Sequence, residues 1–258
     1  MEAFFNHKTI HFQNKFYEQI QKYQYNVELN DGTFLIIIAS HLDNAMRFKA
    51  LVNNHSLFYS KNTHFLIVYS KDQKYNVNLL SLSLENTTLL EMDNNEYYDF
   101  GKWEYGLQTI DYSSYHQIIF TNDSFLISSP IPYFFNMSFK MNADFLAYSS
   151  SNEYMYHYQT FLFSIKTSAI PRFMEFISSF KTKSHRKQLL TSMEISLYYY
   201  FENKQCVVDL GHLDINHKKN IFFHNKALYK ILFKANVLPF VKLKMLTNTH
   251  KTIPNFVF

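Results

Sequence analysis

The chain has 258 residues, of which 47% are hydrophobic and 19% aromatic, and its formal net charge is +4. This length is enough for one substantial core, or for a main domain with a small appendage. The single cysteine, Cys206, excludes an internal disulfide framework and argues against a cysteine-based zinc site. Abundant aromatic and branched residues are not the composition of a disordered chain.

The N-terminal residues 1–19 lack the basic start and long apolar stretch of a secretory signal. The longest apolar runs, such as residues 34–39, are far shorter than the roughly 20 residues that cross a bilayer. We therefore expect a cytosolic protein. In that compartment the triplet Asn122-Asp123-Ser124 has no meaning as a glycosylation signal.

Positive charge is concentrated at the C-terminal end. Residues 215–258 contain eight lysines and no acidic residue, so all 21 acidic residues lie before them. This asymmetry is typical either of a solvated end of the domain or of a surface for an anionic membrane or another polyanion. We expect a main domain over 1–214 and a basic helical segment over 215–258 that packs on it or extends it.

The first half alternates between helical and strand patterns. Residues 13–29 are amphipathic and predict a helix, and residues 33–39 form a continuous apolar run typical of a buried strand. A helix is predicted over 42–57, followed by strands over 64–70 and 76–83. This order predicts an α/β fold with a mostly parallel central sheet flanked by helices.

The second half continues with mixed elements. Residues 93–110 predict a loop that runs into a helix. The remaining predictions are strands over 115–121 and 143–150, a strand or short helix over 157–165, and helices over 169–180 and 185–202.

Ligands of parallel sheets bind outside the carboxyl ends of the strands. His41, Asp43, Ser70 and Asn122–Ser124 follow predicted strands and are the candidates there. The sequence contains no Gly-rich dinucleotide loop, phosphate-binding loop, nucleophile elbow or zinc-protease motif. With only four glycines, it must bind any phosphate through side chains, helix N-termini or a metal ion.

Asp123 directly follows a predicted buried strand. A carboxylate there could give one contact to a hard cation such as Mg²⁺ or Mn²⁺, which could bridge to a diphosphate. Asn122 and Ser124 could add oxygen ligands or hydrogen bonds. The same three residues are also typical of a simple turn or helix cap.

Two further groups of residues are candidates for the site. Asp99 and Lys102 are either an exposed ion pair or contacts to a sugar or base and to phosphate, while Trp103 is expected to pack in the core. Glu194 interrupts an apolar helix face and is suited to act as a general base, unless it is an ordinary half-exposed helix residue. His157 and Gln159 could face the cleft, although an isolated histidine is more often structural.

Five segments occur in the order found in the rhamnan synthesis protein F family, which the chain resembles from about residue 33 to 248. This family comprises glycosyltransferases of surface polysaccharides with a GT-A-like α/β fold. Two further stretches, residues 36–54 and 226–248, resemble the family's first strand and helix and its closing segment. Between them lie YYDFGKWEYGL (97–107), IIFTNDSFLISSP (118–130), DFLAYSSS (144–151), HYQTFLFSIK (157–166) and the helix with Glu194.

The resemblance implies transfer of a sugar, plausibly L-rhamnose, from a nucleotide-diphosphate donor to a growing surface glycan or a lipid-linked acceptor. It carries over to particular residues of this chain: Asp99, Gly101, Trp103, Asn122, Asp123, Ser124, His157, Gln159, Phe161 and Glu194. The Asn-Asp-Ser triplet supplies one acid where many GT-A enzymes have two, so metal dependence stays open.

The hypothesis is a cytoplasmic hexosyltransferase, peripheral at the inner face of the membrane through its basic segment. Donor binding is assigned to His41, Asp43, Ser70, Asp99, Lys102, Asn122, Asp123, Ser124, His157 and Gln159. Glu194, or alternatively Asp144, would be the catalytic base. One rival is a scaffold protein with a degenerate transferase fold. The other is a nucleic-acid-binding module, against which the presence of only three arginines argues.

Overall fold

The computed structural model describes residues 34–58, 63–71, 84–128, 131–180, 186–211, 226–234 and 236–243. The predicted helix over 13–29 and the predicted strand over 76–83 lie outside these ranges.

Ten strands and six α-helices form the described part of the chain. The strands are β1 (Phe34–Leu42), β2 (Thr63–Lys71), β3 (Thr87–Glu91), β4 (Gln117–Asn122), β5 (Phe125–Ile127), β6 (Phe145–Ser151), β7 (His157–Tyr158), β8 (Leu162–Lys166), β9 (Lys204–Val208) and β10 (Phe240–Lys242). The helices are α1 (Ala45–Phe58), α2 (Tyr98–Thr109), α3 (Pro132–Lys140), α4 (Ile170–Phe180), α5 (Arg186–Tyr200) and α6 (Lys226–Lys234).

Eight strands form one mixed sheet in the order β3-β2-β1-β4-β8-β6-β7, with β9 paired to β6. Strands β3, β2, β1 and β4 are parallel to one another, and β8 is antiparallel to β4. Strand β6 is antiparallel to β8 and therefore points the same way as β4. The predicted α/β fold with a mostly parallel central sheet is confirmed, and β3 is a strand that the sequence patterns did not indicate.

Helices cover both faces of the sheet, because the central strands are apolar on both sides. In β1, Ile36 and Ile38 belong to a core with side chains of α1, α3 and α6, whereas Leu35 and Ile37 belong to a core with side chains of α2, α4 and α5. All four side chains are fully buried. Two cores thus hold β1 rigidly at the centre, and its carboxyl end is fixed with it.

A second, two-stranded sheet forms where β5 pairs with β10. Asn54 of α1 attaches β5 to that helix: its side-chain amide donates to the carbonyl of Phe125 and its side-chain oxygen accepts from the N–H of Ile127, at 2.9 and 3.1 Å. Because Asn54 is fully buried, these bonds have no water to compete with them. The chain after β4 is therefore held against α1.

The described parts of the basic segment pack on the main core. Leu232 of α6 and Phe240 of β10 belong to the same hydrophobic cluster as α1 and α3. The segment was expected to be helical, and the structure shows a helix followed by a strand. The region over 157–165 is resolved as strands β7 and β8. None of the helices in the described residues is long and apolar enough to cross a membrane.

Candidate active site

Polar side chains meet where β1, β2 and β4 end. His41 pairs with Ser70 in the register of β1 and β2, and Ala39 pairs with Asn122 in the register of β1 and β4. Parallel strands place their carboxyl ends at one edge of the sheet, which is where open α/β sheets bind ligands. The structure thus brings together His41, Ser70 and Asn122–Ser124 as the sequence predicted.

Asp123 is the centre of this edge, and its carboxylate is almost completely buried. One oxygen, Oδ2, accepts from the hydroxyl of Ser40 at 2.7 Å and from the N–H of His41 at 3.1 Å. The other, Oδ1, accepts from Nη1 of Arg47 at 2.8 Å. The carboxylate therefore ties together the end of β1, the start of α1 and the end of β4.

The pKa of Asp123 is raised to about 6, chiefly by burial and also by the negative charge of Asp99. The positive charge of Arg47 opposes this shift, as do the hydrogen bonds from Ser40 and His41. Removing a carboxylate from water disfavours its charged form unless a partner compensates. Burial therefore disfavours the ionised form of Asp123, and Arg47, Ser40 and the N–H of His41 partly offset this cost.

Arg47 is positioned by the first turn of α1. The side-chain oxygen of Asn44 caps this helix by accepting from the backbone N–H groups of Met46 and Arg47, at 3.0 and 3.1 Å. The Nε atom of Arg47 lies 3.3 Å from Asp43 Oδ1, and its side chain remains 32% exposed. Its guanidinium therefore lies between a buried carboxylate and solvent.

Asn122 connects Asp123 to the start of α2. Its side-chain amide donates to Asp99 Oδ2 at 2.8 Å, and its side-chain oxygen accepts from the N–H and the hydroxyl of Ser124, at 3.1 and 2.6 Å. The Asn-Asp-Ser triplet does form a turn, as its composition indicated. It also places Asp99 beside the Asp123 carboxylate, so the turn belongs to the site.

Lys102, on helix α2, is fully buried. Its ammonium donates to the side-chain oxygen of Asn95. Burial lowers the pKa of Lys102, and the negative charge of Asp99 opposes that shift. Burial conversely raises the pKa of Asp99, which Lys102 opposes. In this structure Lys102 is an internal counter-charge for Asp99 and does not face solvent as a phosphate ligand would.

The backbone at the start of α2, just before Asp99, is strained. Tyr97 and Tyr98 both have positive φ angles, 57° and 52°, which are costly for a residue with a bulky side chain. Gly101 is needed because a Cβ there would lie 2.2 Å from the carbonyl oxygen of Glu96. Two tyrosines thus adopt a conformation that glycine adopts more easily, and Asp99 follows directly.

Glu194 reaches the same region from α5. Its carboxylate accepts a hydrogen bond from the hydroxyl of Thr160, just before β8, and its charge raises the pKa of Asp99. The side chain is half-buried, so it can contact both the site and solvent. Asp99 is therefore within electrostatic reach of two other carboxylates from separate parts of the chain, those of Glu194 and Asp123.

The histidines are placed differently. His41 is half-buried, and its Nδ1 lies 3.0 Å from the hydroxyl of Ser70. His157 is buried with its Nδ1 2.8 Å from the carbonyl of Met155, and Gln159 accepts from the hydroxyl of Ser149 at 2.7 Å. The Ser149–Gln159 bond joins β6, two strands beyond β4, to the segment after β7, whereas the His157 bond lies within the β7 segment. Neither bond involves Asp123 or its partners.

Asp144, the alternative base in the sequence prediction, lies away from the other candidate site residues. It immediately precedes β6, which runs parallel to β4, and its carbonyl accepts from the N–H of Lys166 at the end of β8. This is the opposite edge of the sheet from Asp123. Of the two candidate bases, only Glu194 lies near the other site residues.

The side chains around Asp123 do not fit a Mg²⁺ or Mn²⁺ ion. Such ions need several oxygen ligands, and here Arg47, Ser40 and the N–H of His41 already engage both carboxylate oxygens. Within the described ranges, no group of three or more His, Cys, Asp and Glu side chains could hold a metal ion. A cation bound to Oδ1 would lie beside the guanidinium of Arg47, which is 2.8 Å from the same oxygen.

Four residues of this site were missed at the sequence level: Ser40, Arg47, Asn95 and Thr160. The sequence did contain a signal for Arg47: it follows Asp43 by four residues, a spacing that allows an ion pair on a helix, and it is the first of only three arginines. Ser40 and Thr160 contact the site through hydrogen bonds to residues far away in the sequence, so no local pattern could indicate them. Asn95 bonds to Lys102, seven residues later, but lies in a loop without a periodic pattern.

Comparison of the sequence with protein-family models and with curated proteins finds no match. Among solved structures, the bifunctional glycosyltransferase WbbM has a TM-score of 0.45 at 13% identity, over 84% of this chain and 46% of that one. The glycosyltransferase GlyE of Streptococcus pneumoniae TIGR4 has a TM-score of 0.49 at 8% identity, over 82% and 54%.

The 4-diphosphocytidyl-2C-methyl-D-erythritol synthase of Anaerococcus prevotii DSM 20548 has a TM-score of 0.45 at 12% identity, over 82% of this chain and 98% of that one. This chain spans about half the length of the two glycosyltransferase structures. Scores this low carry no functional argument, so the function must be derived from the site residues.

We predict that Arg47→Ala destabilises the fold more at high pH than at low pH. Arg47 lowers the pKa of Asp123, so its removal makes ionisation of Asp123 more costly. Below the pKa of about 6 the carboxyl group is protonated and needs the guanidinium less. Urea unfolding of the variant and the wild type between about pH 5 and pH 8 measures the difference.

The matched control is Arg172→Ala, because Arg172 also contacts protein through its guanidinium but has a backbone carbonyl as its acceptor, that of Tyr200. Its effect on the free energy of unfolding should not vary over this pH range. A destabilisation by Arg47→Ala that is independent of pH would show that the ion pair with Asp123 is not its cause.

Proposed function

We propose that this chain is a glycosyltransferase that moves a sugar from a nucleotide-diphosphate donor to a glycan or lipid-linked acceptor. The observation that carries the proposal is the edge at Asp123, where the carboxyl ends of three parallel strands meet a buried carboxylate, an arginine and a second carboxylate on α5. The mixed sheet with this arrangement at one edge supports a GT-A-like domain, and the rhamnan synthesis type is proposed from the sequence resemblance alone.

The donor would lie across the ends of β1, β2 and β4. His41 and Ser70 are hydrogen-bonded to each other there and are suited to contact its nucleoside, while Arg47 is the partly exposed cation suited to its diphosphate. Asp99 is held by Asn122 and is suited to accept hydrogen bonds from sugar hydroxyls. Preorganised charges of this kind stabilise a transition state because they need no reorientation.

The reaction would be a displacement at the anomeric carbon of the donor. The acceptor hydroxyl oxygen forms the new C–O bond, and the bond to the diphosphate breaks with its electron pair leaving on the nucleoside diphosphate. The hydroxyl proton passes to the carboxylate of Glu194, which Thr160 orients through its hydrogen bond. A positioned base of this kind contributes about 10²- to 10⁴-fold to the rate.

L-Rhamnose as the donor sugar and a hexosyltransferase class follow from the sequence resemblance alone and are part of the proposal. A scaffold protein is the second candidate, favoured by the ion pair that already occupies Arg47 and Asp123. A scaffold would not need the conformational strain at Tyr97 and Tyr98, which directly precede Asp99.

A thermal-shift screen with UDP, dTDP, GDP, ADP and CDP should identify one nucleoside diphosphate that raises the melting temperature. Ligand at about 100 times its dissociation constant stabilises a protein by roughly 2.7 kcal/mol. The corresponding nucleosides serve as controls and should shift it less. If none of the diphosphates changes the melting temperature, the scaffold reading is favoured.

Glu194→Gln should lower sugar transfer by about 10²-fold or more while leaving nucleotide binding unchanged, because the amide cannot accept the acceptor's proton. Release of nucleoside diphosphate from a panel of nucleotide-sugars, with and without acceptor, measures this. Glu175→Gln on α4 is the matched control, since Glu175 is exposed and bonds only weakly to Tyr200, at 3.3 Å. Wild-type turnover by Glu194→Gln would refute its role as base.

Association with an anionic membrane through the basic segment is also part of the proposal. Lys230 and Lys234 of α6 are exposed, and each lysine near an anionic surface contributes about 1 kcal/mol. The protein should co-sediment at low salt with vesicles containing phosphatidylglycerol and not with purely zwitterionic vesicles. Equal recovery with both kinds of vesicle would contradict an electrostatic contact.

A further inference from the structure

We propose that the carboxyl ends of β6 and β9 form the acceptor subsite of this edge, where Asp209 accepts hydrogen bonds from sugar hydroxyls and the rings of Tyr156 and Tyr198 contact the C–H face of the sugar. This inference rests on the proposed function and names the part of the chain that binds the acceptor. The ligand is a neutral sugar residue of a glycan, and the residues involved are ones that the donor site does not use.

The carboxyl ends of β6 and β9 lie at the same edge of the sheet as Asp123. Strand β8 is antiparallel to both β4 and β6, and β9 is parallel to β6, so β4, β6 and β9 all point towards this edge. Ser150 lies near the end of β6, and Asp209 directly follows β9. The edge that holds the candidate donor residues therefore continues to a second group of polar side chains.

A hydrogen-bonded network fixes Asp209 and Tyr156. The hydroxyl of Ser150 donates to Asp209 Oδ1 at 2.6 Å and accepts from the N–H of Gly211 at 2.8 Å. The hydroxyl of Tyr156 hydrogen-bonds with the side chains of Ser150 and Asp209. Asp209 and Tyr156 are both half-buried, so each meets this network as well as solvent. Side chains held in this way need little ordering when a ligand binds.

Gly211 allows the ring of Tyr156 to lie against the backbone. A Cβ atom at this glycine would be 2.5 and 2.7 Å from Cε2 and Cδ2 of Tyr156, closer than Cβ atoms approach other atoms. The same ring forms a T-shaped pair with that of Tyr198, with centroids 5.2 Å apart. The position of the Tyr156 ring is therefore determined by Gly211, by Tyr198 and by its own hydroxyl group.

Tyr198 connects this network to the proposed base, Glu194. The two residues are four positions apart on α5 and so lie on one face of the helix, about 6 Å apart along its axis. The segment before β8 follows that face: Thr160 donates to Glu194, and Tyr158 packs on Tyr198 with ring centroids 4.8 Å apart. A sugar that contacts Tyr156 and Tyr198 would therefore lie within about one helical turn of the carboxylate that takes its proton.

A carboxylate beside tyrosine rings is suited to a neutral sugar. An ionised carboxylate accepts hydrogen bonds from hydroxyl groups and donates none, so it disfavours a phosphate or a second carboxylate as its partner. A tyrosine ring offers a flat apolar face with a polar hydroxyl, which matches the C–H face and the hydroxyls of a pyranose. Two residues before Tyr156, Tyr154 is 70% exposed with a positive φ of 69°, and it adds a ring that is open to solvent.

Saturation-transfer NMR with methyl glycosides of rhamnose, galactose, glucose and N-acetylglucosamine tests the subsite in the full chain. It is run with and without the nucleoside diphosphate that gives the largest thermal shift. At least one glycoside should receive saturation from the protein, most strongly at its ring C–H protons. Asp209→Asn and Tyr156→Leu should each weaken its binding by about tenfold or more and leave the affinity for the nucleoside diphosphate unchanged.

Asp111→Asn is the matched control. Asp111 is an exposed residue whose carboxylate accepts from the N–H of Ser113 at 2.9 Å, in the loop between α2 and the start of β4, at the opposite edge of the sheet. This variant should bind the glycoside as the wild type does. Asp209→Asn keeps an oxygen that can accept from Ser150, so it decides the question where Tyr156→Leu lowers the melting temperature.

Equal glycoside binding by the wild type, Asp209→Asn and Tyr156→Leu would overturn the subsite and leave the transferase proposal intact. A wild type that binds the nucleoside diphosphate but none of the glycosides would do the same. Glycoside binding without binding of any nucleoside diphosphate would contradict the transferase proposal, while its loss in Asp209→Asn would still support the sugar contact. Absence of both kinds of binding would contradict both proposals.

Discussion

The buried carboxylate of Asp123 is the constraint on which the rest of the site depends. A carboxylate removed from water is unstable unless charges and hydrogen-bond donors surround it. Ser40, the N–H of His41 and Arg47 provide these donors, and they come from the end of β1 and the first turn of α1. The fold can bury Asp123 only if these elements keep their relative positions, so its burial fixes the geometry of the edge.

Polar contacts and a strained backbone occur together at this edge, while hydrophobic side chains form the two cores on either side of the sheet. The positive φ angles of Tyr97 and Tyr98, the buried ammonium of Lys102 and the half-buried Asp99 are neighbours in the chain. Each of these features alone would lower the stability of the fold, so favourable contacts elsewhere in the structure must compensate for it. Such costs are typical of a binding site, because a purely structural turn would have no reason to keep them.

The sequence predicted those features that depend on local pattern. Continuous apolar runs indicated β1, β2 and β4, and the ends of these strands indicated where His41, Ser70 and Asp123 meet. It could not reveal pairings between distant residues. Strand β3 is only partly buried and has no clear pattern. Asp144 was considered as an alternative base, but it precedes β6 at the opposite edge of the sheet, because the direction of a strand in a mixed sheet depends on long-range pairing.

Arg47 shows how a residue can serve the fold and a ligand together. Its backbone N–H is held by the Asn44 cap and its guanidinium by two carboxylates, so its side chain has already lost most of its conformational freedom. Ordering a flexible arginine on binding costs about 0.5–1.5 kcal/mol, and this cost is avoided when folding has ordered it in advance. The ion pair that stabilises Asp123 therefore also preorganises the cation that an incoming diphosphate would meet.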